Sequence, residues 1–113
     1  MKLAALLLLL AACGGPGPTS TPPPDAVVIT AAGEAFTTTA VKAPADSAFA
    51  IYFQITDSSQ HNVRIWNGEA TVAATEIFGG PSARVLEVPA LNPGHYRLTC
   101  DIHPSMHGDL EAV

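Results

Sequence analysis

The chain has 113 residues, ten Asp or Glu against five Lys or Arg, a formal net charge of −5 and two cysteines. It has no Lys/Arg cluster, which argues against nucleic acid as a partner, and two cysteines do not make a disulfide framework. The length leaves room for one small domain.

Lys2 is followed by an unbroken apolar run over residues 3–12. A bilayer span needs roughly 20 residues, so this run fits the h-region of an export signal instead, and residues 1–12 are expected to be a signal peptide. Leu10-Ala11-Ala12-Cys13 resembles a bacterial lipobox, which would make Cys13 the lipidated residue. The plainer alternatives are an ordinary secretory signal or a free thiol. One acyl chain holds a protein to a membrane only marginally, whereas two or more anchor it. Residues 13–24 are rich in Gly, Pro, Ser and Thr and include Pro22-Pro23-Pro24. They read as an extended tether that could hold the domain about 30 Å off the lipid, at about 3.1 Å per residue. Losing Lys2 leaves four basic and ten acidic residues, a net charge near −6, which favours a partner with a basic or neutral docking surface.

Residues 25–113 read as one all-β domain. A short β-branched run spans residues 26–31, and residues 41–46 mark a strand end and a turn. Phe49, Ile51, Phe53 and Ile55 alternate with Ala50, Tyr52 and Gln54, the period of a half-buried strand. His61, Val63 and Ile65 share one face, with Asn62 and Arg64 on the other. Residues 70–77 form the one weak helical candidate. Gly79-Gly80-Pro81-Ser82 and Asn92-Pro93-Gly94 are breakers. In the last strong strand, Tyr96, Leu98 and Cys100 face inward and His95, Arg97 and Thr99 outward. Short strands between regular turns predict a Greek-key β-sandwich. Trp66 and Tyr96 are expected in the core, Tyr96 with a hydrogen-bond partner for its hydroxyl.

The chemistry gathers near the C-terminus. Cys100, His103 and Met106 stand in Cys-Asp-Ile-His-Pro-Ser-Met, and His61 lies upstream, followed by Asn62. One thiolate, two imidazoles and one thioether form the donor set of a type 1 copper site, because soft sulfur selects copper. Taken singly, each residue has a bland reading. An inward Cys is usually a small hydrophobe, a lone inward His a satisfied core residue, and Met106 plain packing. A structural zinc site has four strong ligands, and this set offers three plus a thioether. His107, beside Met106, is an alternative to it as ligand.

With these residues in view, the chain resembles a cupredoxin of the plastocyanin, pseudoazurin and amicyanin group. His61-Asn62-Val63 is similar to that family's first-ligand motif. Residues 94–100 are similar to its last core strand, and the spacing from Cys100 to His103 to Met106 is that of the amicyanins. The resemblance implies one copper ion held by His61, Cys100, His103 and Met106, with Met106 axial. It also implies that Asn62 links the two ligand-bearing segments outside the metal's own shell. It implies an electron carrier, not an enzyme, cycling Cu(II)/Cu(I) outside the cytoplasm. The carrier is expected to be a monomer, anchored to a membrane through lipidated Cys13, with redox donor and acceptor proteins docking near His103. A copper-buffering or copper-delivery protein is the competing function. Ser58-Ser59-Gln60 before His61 departs from the family, whose members often carry an apolar residue or Pro there, and suggests a more polar rim.

Overall fold

The computed structural model describes residues 21–113. The signal peptide expected at 1–12, the lipidation site Cys13 and most of the tether lie outside the described residues. From Val27 onward the chain is almost entirely strand and turn. The strands in order are β1 (Val27–Ala32), β2 (Ala35–Phe36), β3 (Ala40–Ala43), β4 (Phe49–Ile55), β5 (Gln60–His61), β6 (Arg64–Asn67), β7 (Ala70–Ala74), β8 (Phe78–Gly79), β9 (Ser82–Val88), β10 (Gly94–Cys100) and β11 (His103–Ala112).

They form a sandwich. One sheet has the order β2-β1-β4-β9 and the other β3-β11-β10-β6-β7, while β5 and β8 make a separate two-stranded ladder. β1 pairs parallel to β4, and β11 parallel to β3. Both parallel pairs join strands distant in sequence, as a Greek-key connection requires. Two-residue periodicity accounts for the core. Ile29 and Ala31 of β1, Phe49, Ile51, Phe53 and Ile55 of β4, Ile65 of β6, Tyr96, Leu98 and Cys100 of β10, and Met106 and Leu110 of β11 belong to one buried cluster. Phe53 meets Phe36 and Phe78 edge to face, with centroids 6.1 and 5.7 Å away, the geometry that ring quadrupoles favour. Each fully buried Ile, Leu or Phe contributes about 1.5–3 kcal/mol.

Three expectations change. Residues 70–77 are not helical. β7 occupies Ala70–Ala74 and pairs antiparallel with β6, since β-branched Thr71 and Val72 pack well on a pleated edge. Tyr52 is buried although it alternates out of phase with Phe53, because β4 is an inner strand of its sheet, between β1 and β9. Trp66 is half-buried on the outer face of its sheet. Its ring lies beneath the guanidinium groups of Arg64 (5.7 Å) and Arg97 (5.3 Å), and its Nε1–H donates to Thr99 Oγ1 at 2.7 Å. The expected Tyr96 contact is present, its hydroxyl donating to the Asn92 carbonyl at 2.8 Å.

Candidate metal centre

His61 and the Cys100–Met106 segment meet at one end of the sandwich by different means. His61 closes β5, where it pairs with Phe78 of β8. The chain then leaves that ladder through Asn62 and Val63 before β6 begins at Arg64. The expected continuous strand from His61 to Ile65 is therefore broken, and Asn62 does not face outward. It is buried. Two loops converge on it: the Asp101 N–H donates to Asn62 Oδ1 at 2.7 Å, and Asn62 Nδ2–H donates to the Thr75 carbonyl at 3.3 Å. Thr75 also grips Val63. The Val63 N–H donates to Thr75 Oγ1 at 3.1 Å, and the Thr75 N–H donates to the Val63 carbonyl at 3.0 Å. A buried amide without such partners would cost about 1–3 kcal/mol.

Cys100 ends β10 as an inward residue, as the alternation predicts. Asp101 and Ile102 turn the chain and His103 begins β11. Cys100 is opposite His103 and Thr99 is opposite His107. Residues 104–106 are therefore extra on one strand, the arrangement of a β-bulge, which re-aims side chains locally. Within this bulge Met106 is 1% exposed, while Pro104, Ser105 and His107 are exposed. His107 thus faces solvent and Met106 the interior. Arg64 braces the turn, its Nε and Nη2 donating to Asp101 Oδ1 and Oδ2 at 2.8 and 2.7 Å. That bond, first among the causes, lowers the Asp101 pKa.

Three donor atoms meet between these segments. Nδ1 of His61 and Nδ1 of His103 are 3.0 Å apart, and the free thiol sulfur of Cys100 is 3.8 Å from the first and 3.7 Å from the second. The point equidistant from all three lies about 2 Å from each, the length of a metal–imidazole bond and slightly short of a metal–thiolate bond. This is the group of His, Cys and carboxylate side chains that could hold a metal ion among the described residues. The soft-plus-imidazole donor set suits copper. The two rings differ in surroundings. His61 is 0% exposed, and burial first, then the neighbouring His103, lowers its pKa. The His103 side chain is 21% exposed, and its Nε2 lies 3.8 Å from a carboxylate oxygen of Glu34, itself 78% exposed.

Sequence reasoning missed the support behind His61. Ser59 Oγ lies 2.8 Å from His61 Nε2 and donates a short hydrogen bond to Asp57 Oδ1. The Ser59 N–H reaches the same oxygen at 3.0 Å, and the Gly33 N–H donates to Asp57 Oδ2 at 2.7 Å. The Ser59 hydroxyl, then the Gly33 amide, holds the Asp57 carboxyl down at about 2. The legible signal was Asp57-Ser58-Ser59, an Asx-turn sequence two residues ahead of the ligand. Ser59, read with Ser58 and Gln60 as a polar rim, makes an inward contact.

A family model described as a cupredoxin-like domain matches residues 2–112. No protein of curated function matches the sequence. Among solved structures, the fold is similar to that of dithionite-reduced auracyanin from Roseiflexus castenholzii, with a TM-score of 0.70 at 19% identity over 79% of this chain and 97% of that one. It is similar to auracyanin A, a "blue" copper protein from Chloroflexus aurantiacus, with a TM-score of 0.63 at 20% identity over 76% and 99%. It is also similar to amicyanin from Paracoccus versutus, with a TM-score of 0.67 at 22% identity over 88% and 92%. At these identities the likeness is one of fold.

Proposed function

The chain belongs to the cupredoxin-like family, and we propose that it is a one-electron carrier built on a type 1 copper site. The single observation behind this reading is the meeting of His61 Nδ1, His103 Nδ1 and Cys100 Sγ around one metal-sized gap. Copper, when bound, supplies one-electron chemistry between Cu(II) and Cu(I). The chain supplies a donor set with little freedom to rearrange. His61 and His103 would give imidazole nitrogens, Cys100 a thiolate and Met106 a thioether to a bound copper. Asn62 and Arg64 pin the turn after Cys100 from two sides, so the three sulfur and nitrogen donors of the Cys100–Met106 segment keep their positions when the charge changes.

Cys100 and Met106 are buried and His61 wholly so, while His103 keeps one edge in solvent. That edge is the route for the electron and the centre of the surface where redox partners dock. The carrier performs no bond chemistry. It works outside the cytoplasm as a monomer, held to a membrane by acyl chains on Cys13 at the end of the tether. Radiolabelled palmitate appearing in the wild-type protein and absent from Cys13→Ser tests the anchor.

The test of the function is an absorption and EPR spectrum of the copper-loaded soluble domain with reversible voltammetry. An intense thiolate-to-copper band and a reversible wave are expected. Cys100→Ser should abolish the band, and a band that survives this change overturns the ligand assignment.

A further inference from the structure

We infer that Asp57, acting through the hydroxyl of Ser59, is a positioning residue for the metal centre that fixes the tautomer of His61 and biases the site towards its oxidised state. The inference rests on the copper-carrier reading for its redox half only. The tautomer half stands on the protein's own hydrogen bonds.

Proton counting fixes the direction of each bond. An ionised carboxylate only accepts hydrogen bonds, and a serine hydroxyl carries one proton. The Asp57 carboxylate is ionised through the neutral range, since its pKa lies at about 2. The Ser59 proton is therefore spent on Asp57 Oδ1. What remains at Ser59 Oγ is a lone pair, and the atom facing it at 2.8 Å is His61 Nε2. That nitrogen must be the donor, and the Gly33 backbone, whose hydrogen bond to the ring raises the His61 pKa, shares its proton. A neutral imidazole has one N–H, so His61 Nδ1 is left bare, and it is Nδ1 that points at Cys100 and His103. The relay Asp57–Ser59–His61 thus presents the one lone pair a metal can use.

The relay is also held in place. Asp57 takes hydrogen bonds from the Gly33 N–H of the β1–β2 turn and from the Ser59 N–H. The Gly80 N–H donates to the Ser59 carbonyl at 3.0 Å. A Cβ at Gly80 would overlap the Asp57 carbonyl oxygen and the Ile55 side chain, so this loop is packed as well as hydrogen-bonded. Three separate strand connections therefore fix a single serine hydroxyl under a ring that is 0% exposed.

The charge at the far end of the relay has a predictable effect. Partial negative charge passed along two hydrogen bonds makes His61 a stronger donor, and it stabilises the more positive oxidation state more than the less positive one. Outer contacts of this kind typically change metal affinity by about 10–100-fold.

Two measurements test the inference. In the metal-free protein, nitrogen-15 shifts of the His61 ring should show Nε2 protonated and Nδ1 bare. Ser59→Ala, which leaves the ring only the Gly33 backbone, should raise the share of the Nδ1–H tautomer, and Ser59→Thr, which keeps the hydroxyl, should restore the wild-type pattern. A wild-type ring protonated at Nδ1 overturns the inference with no reference to copper. In the copper-loaded protein, Ser59→Ala and Asp57→Asn should each lower the ratio of Cu(II) to Cu(I) affinity about tenfold, a rise of about 59 mV for one electron. The double variant should go no further than either alone. Unchanged potentials in both single variants, with the thiolate band intact, overturn the relay and leave the copper site standing. A wild-type protein that gives no thiolate band overturns the carrier reading instead.

Discussion

The two histidines of the site deliver the same ring nitrogen to the same point under opposite conditions. His61 is sealed under the sandwich, hydrogen-bonded through Nε2 to Ser59 and carried by the two-residue strand β5. His103 opens β11 three residues after Cys100, keeps part of its ring in solvent, and turns its Nε2 towards the exposed carboxylate of Glu34 at 3.8 Å. One is an anchor whose geometry comes from distant parts of the chain. The other is a port whose geometry comes from a tight local turn. The fold can therefore hold the metal rigidly on one side while leaving the other open for exchange with a partner.

The strongest way to break this contrast is to remove each ring in turn. His61→Gly and His103→Gly should both lose the three-donor set, and with it the thiolate band. Added imidazole should restore colour to His103→Gly, because its slot opens to solvent, and should fail in His61→Gly, because the way in is closed. Spectrophotometric titration with imidazole reads the difference. Equal rescue of both variants would mean that the two sides do not differ in access.

Next in size is the packing behind the anchor. Gly80→Ala places a methyl group against the Asp57 carbonyl and Ile55, and overpacking of this kind costs about 1–3 kcal/mol. Urea unfolding should show the loss. Asn62→Ala should cost a similar amount, about 1–3 kcal/mol, by leaving the Asp101 N–H and the buried Thr75 carbonyl without their partner. It should also weaken copper binding, because Asn62 joins the anchor side to the port side. Arg64→Ala sits lower. Arg64 and Asp101 are about a third exposed, and pairs of that kind are worth about 0–1 kcal/mol. Denaturation should barely register the change.

How legible each side was follows from the same contrast. Cys100, His103 and Met106 fall within seven residues, so their meeting needs only a turn, and spacing alone announced it. Tyr96, Leu98 and Cys100 share the inward face of β10 because period-2 alternation holds along an unbroken strand. The alternation failed at residues 61–65. There the chain passes from the β5–β8 ladder into a different sheet, and Asn62 is buried within the crossing. Ser59 was read with Ser58 and Gln60 as part of a polar rim, and Asp57 was not singled out. Ser59 reaches His61 only two residues on, but the Asp57 partner Gly33 lies in another part of the fold, and no local pattern records a hydrogen bond across 24 residues. Trp66 was misplaced for a related reason. An indole beneath two guanidinium groups is stable on an outer face, whereas hydrophobicity alone sent it inward.

The smallest predicted effect concerns a third histidine and marks what His61 would do if it were merely exposed. His95 lies near the start of β10, away from Cys100 at its end, with Nδ1 2.9 Å from Asp109 Oδ2 and Nε2 3.4 Å from Glu111 Oε2. The hydrogen bond to Asp109, then the charge of that carboxylate, raises its pKa. A pKa raised on folding means that the folded state binds the proton more tightly. The resulting stabilisation is fully present below the unfolded value of about 6.5 and disappears as pH rises through the folded value. His61 is shifted downward by burial, so in the metal-free protein its contribution has the opposite sign and grows as pH rises through the same region. His95→Gln should remove the first trend and leave the second. The metal-free variant should therefore gain stability more steeply between about pH 6 and 8 than the wild type, read as the slope of Tm against pH. A variant with the wild-type slope would mean that the Asp109 contact is too well solvated to matter. A variant that instead loses stability over that interval would mean that burial of His61 does not govern the titration of the anchor.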